Sequence, residues 1–394
     1  MTAPLDDAER AATATLLRIA EPGSPALSTY VREHGVLGAL DAVRRGAAIG
    51  GMDTDGLRHR LAGASGARDL QRAHALGARL VCPGDADWPA ALDDLRWVDR
   101  DCLGLWVRGP LGLAEACEQS ASIVGTRVAT DYGAHVATEL SAGLAERGWT
   151  VVSGLAYGID GVAHRSALAA GGPTIAVLAC GVDVPYPSGH RSLYERIVDE
   201  GLVVTEHPPG AAPQRPRFLV RNRIIAALSL GTVVVEAALR SGARSTATHA
   251  GLLNRHLMVV PGPITSATSA GCHQLLRDRP DAVVVTRAEE IVEQCGHMGE
   301  LAAAVTGPAT VRDALGPTVG RVFEGVPVRR ASSAASIAAT VGVSPEVAVA
   351  SLVALAAAGL VERVEDRWAM TVAGRADRRA RTRQPAVELP FGGW

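Results

Sequence analysis

The stretch SIVGTRVATDYG, residues 122–133, fixes the class of the fold. An apolar run ends in Gly125, a turn carries Arg127, and a helix-compatible segment follows. Gly125 lets the backbone turn sharply and approach a ligand. The helix start behind it offers free N–H groups and a positive dipole end. A phosphate fits such a junction, and so does an ordinary strand-to-helix turn with a solvated arginine.

The same device recurs on both sides. Apolar strand candidates lie at 121–125, 150–154, 174–180, 202–206, 232–237, 257–262 and 282–286. Helical segments at 131–147, 158–170, 189–200, 222–229, 244–255 and 268–278 separate most of them. Near-continuous Val and Ile runs belong to strands buried on both faces, and alternation with helices predicts an α/β, doubly wound, mostly parallel Rossmann-like sheet. Binding crevices in such sheets lie beyond the carboxyl ends of the strands. LGLWVRG, 103–109, reads as an edge strand.

Outside this region the pattern changes. Residues 1–80 carry Leu and Ile at helical spacing between Gly, Pro and Ser, which predicts a small helical domain. Residues 81–119 form a connector into an extended domain that runs to 296. A linker rich in Ala, Gly and Pro is expected over 297–330. A winged helix is expected over 331–374, with a short helix, a turn at VGVS, a longer helix behind Ser344-Pro345 and GLVERVEDRWAM as its wing. A flexible tail is expected over 375–394.

Composition removes several functions. The chain has 394 residues, a net charge of −2 and 4% aromatics, so a wholesale basic coat is excluded while a local basic patch is not. All 39 basic residues are arginine. Without lysine there is no Schiff-base or Walker-A chemistry. Six scattered cysteines, none in a C-x-x-C pair, suggest neither a metal site nor a disulfide framework. The N-terminus lacks a signal pattern and no apolar run approaches the ~18 residues of a membrane span. A cytoplasmic protein without metal, cofactor or membrane contact is expected.

Charge concentrates in one place. PRFLVRNRIIAALS, 216–229, lies in a segment (211–255) with seven arginines, 215, 217, 221, 223, 240, 244 and 255, against Glu236. Asn222 reads as the N-cap of a helix whose buried face is Ile224, Ile225 and Leu228. Arg215, Arg221 and Arg223 surround that helix start, and Phe218 adds a stacking face. A cationic groove with an aromatic platform holds single strands without sequence preference. SGLAYGIDGVAH, 153–164, adds Ser153, Gly154 and Gly158 around a loop entering a helix, but it is not G-x-G-x-x-G and no acidic residue ends its strand, which disfavours NAD. Asp160 and His164 lie four apart on that helix, as an acid–base pair or as a capping Asp and a packed His. SGARSTATHAG, 241–251, supplies Gly242, Arg244 and a cap at Ser245 or Thr246. Glu236 ends a strand at the crevice side, as a general base or as the partner that pins a crevice arginine.

The order VGTR…YG, SGLAYGID, ACGVDVPYP, TEHPPG, RNRIIAALS, VVVEAALRSGARSTA and VPGPI, spread over about 80–290, closely resembles the DNA-processing protein A family, DprA/Smf. The resemblance implies an extended Rossmann domain that binds single-stranded DNA, a homodimer, and loading of the RecA recombinase in natural transformation, without enzymatic activity. It places Arg127 as a pocket arginine, Ser153 and Gly154 in a glycine-containing wall, and Arg215, Phe218, Arg221, Asn222 and Arg223 at the basic, aromatic and RNR positions. The N- and C-terminal units resemble the helical and winged-helix domains that accompany it. Leu219 stands where the family has proline, His190 where it has asparagine, and Arg244 where an apolar residue is common. A distant similarity to nucleotide-cleaving phosphoribohydrolases is the alternative, but LSLGTVVVE lacks the glycines of their P-G-G-x-G-T-x-x-E pattern.

Overall fold

The computed structural model describes residues 4–296 and 315–382. The chain forms two compact units, Met1–Ala303 and Ala304–Trp394. The first opens with four helices, α1 (Asp7–Ile19), α2 (Pro25–Arg45), α3 (Thr54–Leu61) and α4 (Gly66–Ala75). Each starts on a side chain that accepts a first-turn amide: Asp6, Ser24, Asp53 and Ser65. Leu16, Ile19, Leu27, Leu40, Val43 and Leu57 form a core shared by α1, α2 and α3.

The sheet that follows has nine strands among the described residues: β1 (Ala78–Val81), β2 (Leu105–Arg108), β3 (Ser120–Val124), β4 (Thr150–Ser153), β5 (Thr174–Val177), β6 (Leu202–Thr205), β7 (Gly231–Val234), β8 (His256–Val259) and β9 (Val283–Val284). Their spatial order is β1-β2-β6-β5-β4-β3-β7-β8-β9. From β6 to β9 all neighbours are parallel, while β2 pairs antiparallel with both β1 and β6. The expected edge strand at 103–109 is therefore second from the edge. β1, which straddles residue 80, covers it. Four residues, ARLV, are too short a run to show a period of two beside a helix.

Helices α5 (Leu113–Glu118), α6 (Asp131–Ala145), α7 (Ile159–Ala169), α8 (Arg191–Glu200), α9 (Arg215–Ala227), α10 (Ala243–Leu252), α11 (Ala270–Asp278) and α12 (Ala288–Cys295) complete the unit. Alternate strand residues serve opposite layers. Val124, Val152, Val177 and Val234 pack with Ile224, Ile225 of α9 and Ala247, Ala250 of α10. Ile123, Val151 and Val233 pack with Leu140, Leu144 of α6 and Ile159, Ala163 of α7. Double burial explains the unbroken apolar strands.

Helix α9 departs from expectation. It begins at Arg215 with Gln214 as cap, so Asn222 is in mid-helix and not the N-cap. Pro216 sits in the first turn, where its missing N–H is tolerated. Leu219 in place of proline leaves Phe218 free to be helical and Leu219 free to donate. The helix therefore runs back past the expected start. Its far side carries Arg223, fully buried and paired with Glu206 at 2.7 Å, beside the Gly23 turn of the helical domain. A Cβ on Gly23 would lie 2.8 Å from Arg223 Nε.

The second unit contains α13 (Pro317–Gly325), α14 (Ala334–Val341), α15 (Pro345–Ala357), the antiparallel pair β10 (Val361–Val364) and β11 (Arg367–Met370), and α16 (Val372–Thr382). Ser344 caps α15, as its sequence suggests. Of the expected linker, 297–314 lie outside the described residues, and 317–325 are instead α13, whose Val322 and Phe323 join Ile337, Leu352 and Leu355 in the core. Of the expected tail, residues up to 382 continue α16 and 383–394 lie outside the described residues. No single described helix is long and apolar enough to cross a membrane, although α14 and α15, bent by 107°, meet that test as a pair.

Two stability predictions follow from buried charge. Arg223→Met, which strands Glu206 in the core, should cost about 3–5 kcal/mol in urea unfolding, and Arg223→Met with Glu206→Leu should recover most of it. Equal losses in the two would contradict the pair's isolation. His164 is buried, and Thr174 Oγ1 donates to Val151 O at 2.7 Å, so His164 Nδ1–H donates to Thr174 and Nε2 faces no partner. Burial, reinforced by His190, Arg221 and Arg165, pulls its pKa to about 3. The unfolded chain takes up a proton below about pH 6.5 that the folded chain refuses, so this residue lowers stability as pH falls from 6.5 toward 3. His164→Gln should lose less melting temperature than the parent between pH 7 and 4.5; an identical loss would refute the assignment.

Candidate nucleic-acid interface

Strand order dictates where the sheet opens a crevice. The crossovers reverse direction at β3, which lies between β4 and β7. The loops leaving these three strands splay apart there and open a crevice at the carboxyl edge. It encloses about 320 Å³, walled by Gly125–Arg127 after β3, Ala156 and Asp160 after β4, Ala238 and 240–243 after β7, and the face of α9 with Phe218, Arg221, Asn222 and Ile225. These α9 positions are three and four apart, hence on one side.

Backbone space is tight at the floor. A Cβ on Gly125 would lie 2.5 Å from Ile159 Cγ1. Gly158 has φ +76°, and a Cβ there would meet Thr126 O at 2.3 Å. Both loops thus close against each other only through glycine. Gly154 donates to Asp160 at 3.2 Å, and its carbonyl accepts from Arg221 Nη1 at 2.7 Å. Arg221 also donates to Val177 O, and its Nε to Asn222 Oδ1 at 3.2 Å. Asn222 in turn donates to Gly242 O at 3.3 Å. One buried guanidinium thus ties α9 to the ends of β4 and β5. Burial pulls the Arg221 pKa down to about 10, with Asp160 opposing, so it stays charged at neutral pH. Burial pushes the Asp160 carboxyl up, and Arg221 and neighbouring amides hold it back.

The rim is cationic. Arg127, Arg215 and Arg240 are exposed and have no carboxylate partner among the described residues. Arg127 lies over the Phe218 ring, 5.4 Å from its centroid. Phe218 is half-buried and faces the crevice rather than the core. Arg215, at the first residue of α9, precedes Phe218 by three and is on the same side.

Of the residues singled out in the sequence, Gly125, Arg127, Phe218, Arg221, Asn222 and Gly242 line the crevice. Ser153, Gly154 and Gly158 support its walls from behind; Ser153 Oγ donates to Ile123 O at 2.6 Å. Arg244 lies off it, donating to Leu239 O at 2.8 Å and facing Asp278 at 3.6 Å. Arg223 points away into the core. Helix α10 has Gly242 at its cap and no side-chain cap from Ser245 or Thr246. Glu236 pins no arginine: it accepts from Thr130 N at 3.0 Å, Thr130 Oγ1 at 2.6 Å and Thr268 Oγ1 at 2.9 Å, bracing the start of α6. Asp160 and His164 form no pair, since His164 bonds Thr174. Asp160 and Arg240 also line the crevice, as do Thr126, Ala156 and Ser241, none of which the sequence assigns to the site. Asp160 reads as a cap, and Arg240 is one arginine among seven.

A family model described as DNA recombination-mediator protein A matches residues 79–296. The chain is 46% identical over 379 residues to a putative DNA processing protein DprA of Mycobacterium tuberculosis, covering 92% of this chain and 95% of that one. It is 41% identical over 190 residues to the protein Smf of Escherichia coli, 48% of this chain and 50% of that one. The X-ray structure of DNA processing protein A from Streptococcus pneumoniae is similar with a TM-score of 0.60 and 29% identity, covering 70% of this chain and 94% of that chain. The mostly parallel, Rossmann-like sheet agrees with the solved relative, and the chain belongs to the DNA recombination-mediator protein A family, DprA/Smf.

Proposed function

We propose that the crevice binds single-stranded DNA, and that the protein shelters incoming strands and loads RecA recombinase onto them in natural transformation and recombination. It acts as a cytoplasmic homodimer, as a binding protein and not an enzyme. The observation that carries this reading is the meeting of Arg127 and Arg240, which have no carboxylate partner among the described residues, with a half-buried Phe218 in one crevice, while Arg215 stands three residues before Phe218 on α9. Guanidinium groups clamp the phosphodiester backbone while the ring stacks a base, and neither needs a particular sequence. A duplex keeps its bases stacked inside and offers Phe218 nothing.

Glu236 supports the same conclusion. Its carboxylate is already occupied by two threonines and an amide, which leaves the nucleotide-cleaving alternative without its general base. For the second unit we propose a winged helix with a scaffolding role. Its α15 offers Val347, Val349 and Val353 on the outside rather than side chains that read base edges.

Fluorescence anisotropy with single- and double-stranded oligonucleotides of equal length tests the reading. Single strands should bind at least tenfold tighter, since about 1–3 kcal/mol comes from each stacked base. Arg127→Ala should weaken single-strand binding by about ten- to a hundredfold, as the loss of a charged contact worth ~1.5–3 kcal/mol requires. Duplex preference, or unchanged binding by Arg127→Ala and Phe218→Ala together, would reject the crevice. Adenine release from AMP would reject the binding-only role.

A further inference from the structure

Aromatic residues make up 4% of this chain, yet two stand exposed on the loops after β4 and β5. Tyr186, on the loop after β5, lies against Phe218 with ring centroids 5.5 Å apart and planes tilted by 44°. It is 42% exposed. Tyr157, on the loop after β4, is 47% exposed. Its hydroxyl accepts from Gly189 N at 3.3 Å, and its ring stands edge-on to His190 at 4.8 Å. Tyr157 is thereby fastened to the loop that carries Tyr186, three residues away. Arg191, exposed at the first residue of α8, follows directly.

Two large rings held in the open by their neighbours need an explanation. Tyrosine exposed to this extent contributes little to a core, and packing alone gives no reason for both to be fixed, one against Phe218 and the other against the Gly189–His190 segment that follows it. A fixed ring with a free face is a stacking platform, because every base has a π-face and the ring loses little entropy on contact. We infer that Phe218, Tyr186 and Tyr157 form a stacking track. On it the strand leaves the crevice across the loops after β5 and β4, with Tyr186 and Tyr157 each taking a base and Arg191 beside them for a phosphate. This rests on the crevice binding single-stranded DNA and adds the direction of the strand and two further nucleotide subsites.

The track is tested by anisotropy of labelled oligothymidylates four and twenty nucleotides long, with Tyr186→Ala, Tyr157→Ala and the corresponding Phe variants. The four-nucleotide probe fills the crevice and little more. Each Ala variant should lose roughly fivefold or more on the long probe, little on the short one, and the Phe variants should bind as the parent does. Replacing the long probe's bases by abasic sites outside the crevice segment should abolish the difference between parent and Ala variants. Undiminished binding of the long probe by both Ala variants would overturn the track, and so would equal losses on both probes, which would mean that the rings only support the crevice. If the parent binds neither probe, the crevice assignment itself fails. If Arg127→Ala weakens binding at least tenfold while the tyrosine variants do not differ from the parent, the crevice stands and the track falls.

Discussion

The rotation of α9 about its own axis decides what this protein presents to a ligand. Arg223, with no exposed surface, meets Glu206 in the core beneath the turn at Gly23. Such a pair is poor stabilisation for its desolvation cost, but it admits one arrangement of the helix, because any rotation would strand a charge in an apolar layer. With that side fixed, Phe218, Arg221, Asn222 and Ile225 have to face the crevice. Arg221 completes the fixing from the other side through the carbonyls of Gly154 and Val177. The RNR sequence is therefore two structural anchors around an amide that reaches across to the loop after β7.

The sheet supplies the rest. Because β3 is where successive crossovers change direction, the loops after β3, β4 and β7 part at one edge, and α9 returns across that edge between β6 and β7. Glycines at 125 and 158 let two of these loops touch, so the floor is backbone and the rim is arginine. The rim charges proposed to bind are those without acidic partners among the described residues, and charges paired with carboxylates brace the fold. Arg217 illustrates the second kind, forming a two-pronged pair with Glu21 at 2.6 and 3.0 Å and so tying α9 to the helical domain.

Much of this is legible in the sequence, for physical reasons. Strands buried on both faces announce themselves as Val and Ile runs, and the three strand-to-helix glycine turns mark the crevice edge. The division of labour among the arginines is not legible. Arg223 and Arg221 differ from Arg215 only by helix phase, and Asn222, which looks like a cap, points to the wrong helix start. The clue that corrects it is Leu219: without proline there, the helix has no cause to begin later than Pro216. Glu236 was similarly ambiguous, since its partners Thr130 and Thr268 are brought to it only by the folded loops. Antiparallel β1 escaped because four residues carry no usable periodicity.

Arginines locked into the fold, such as Arg223 on α9, are distinct from the rim arginines, such as Arg127, that are proposed to hold the strand. The most direct measurement is the slope of log affinity against log salt for a single-stranded oligonucleotide, taken for the parent, for Arg127→Ala and for Arg223→Met with Glu206→Leu. Each phosphate contact on a single strand contributes about 0.7 to that slope. The account predicts a slope shallower by about 0.7 for Arg127→Ala, and for the buried double variant an unchanged slope with affinity within about threefold of the parent. A folded double variant whose slope drops by about 0.7 would place Arg223 on a phosphate and contradict the account.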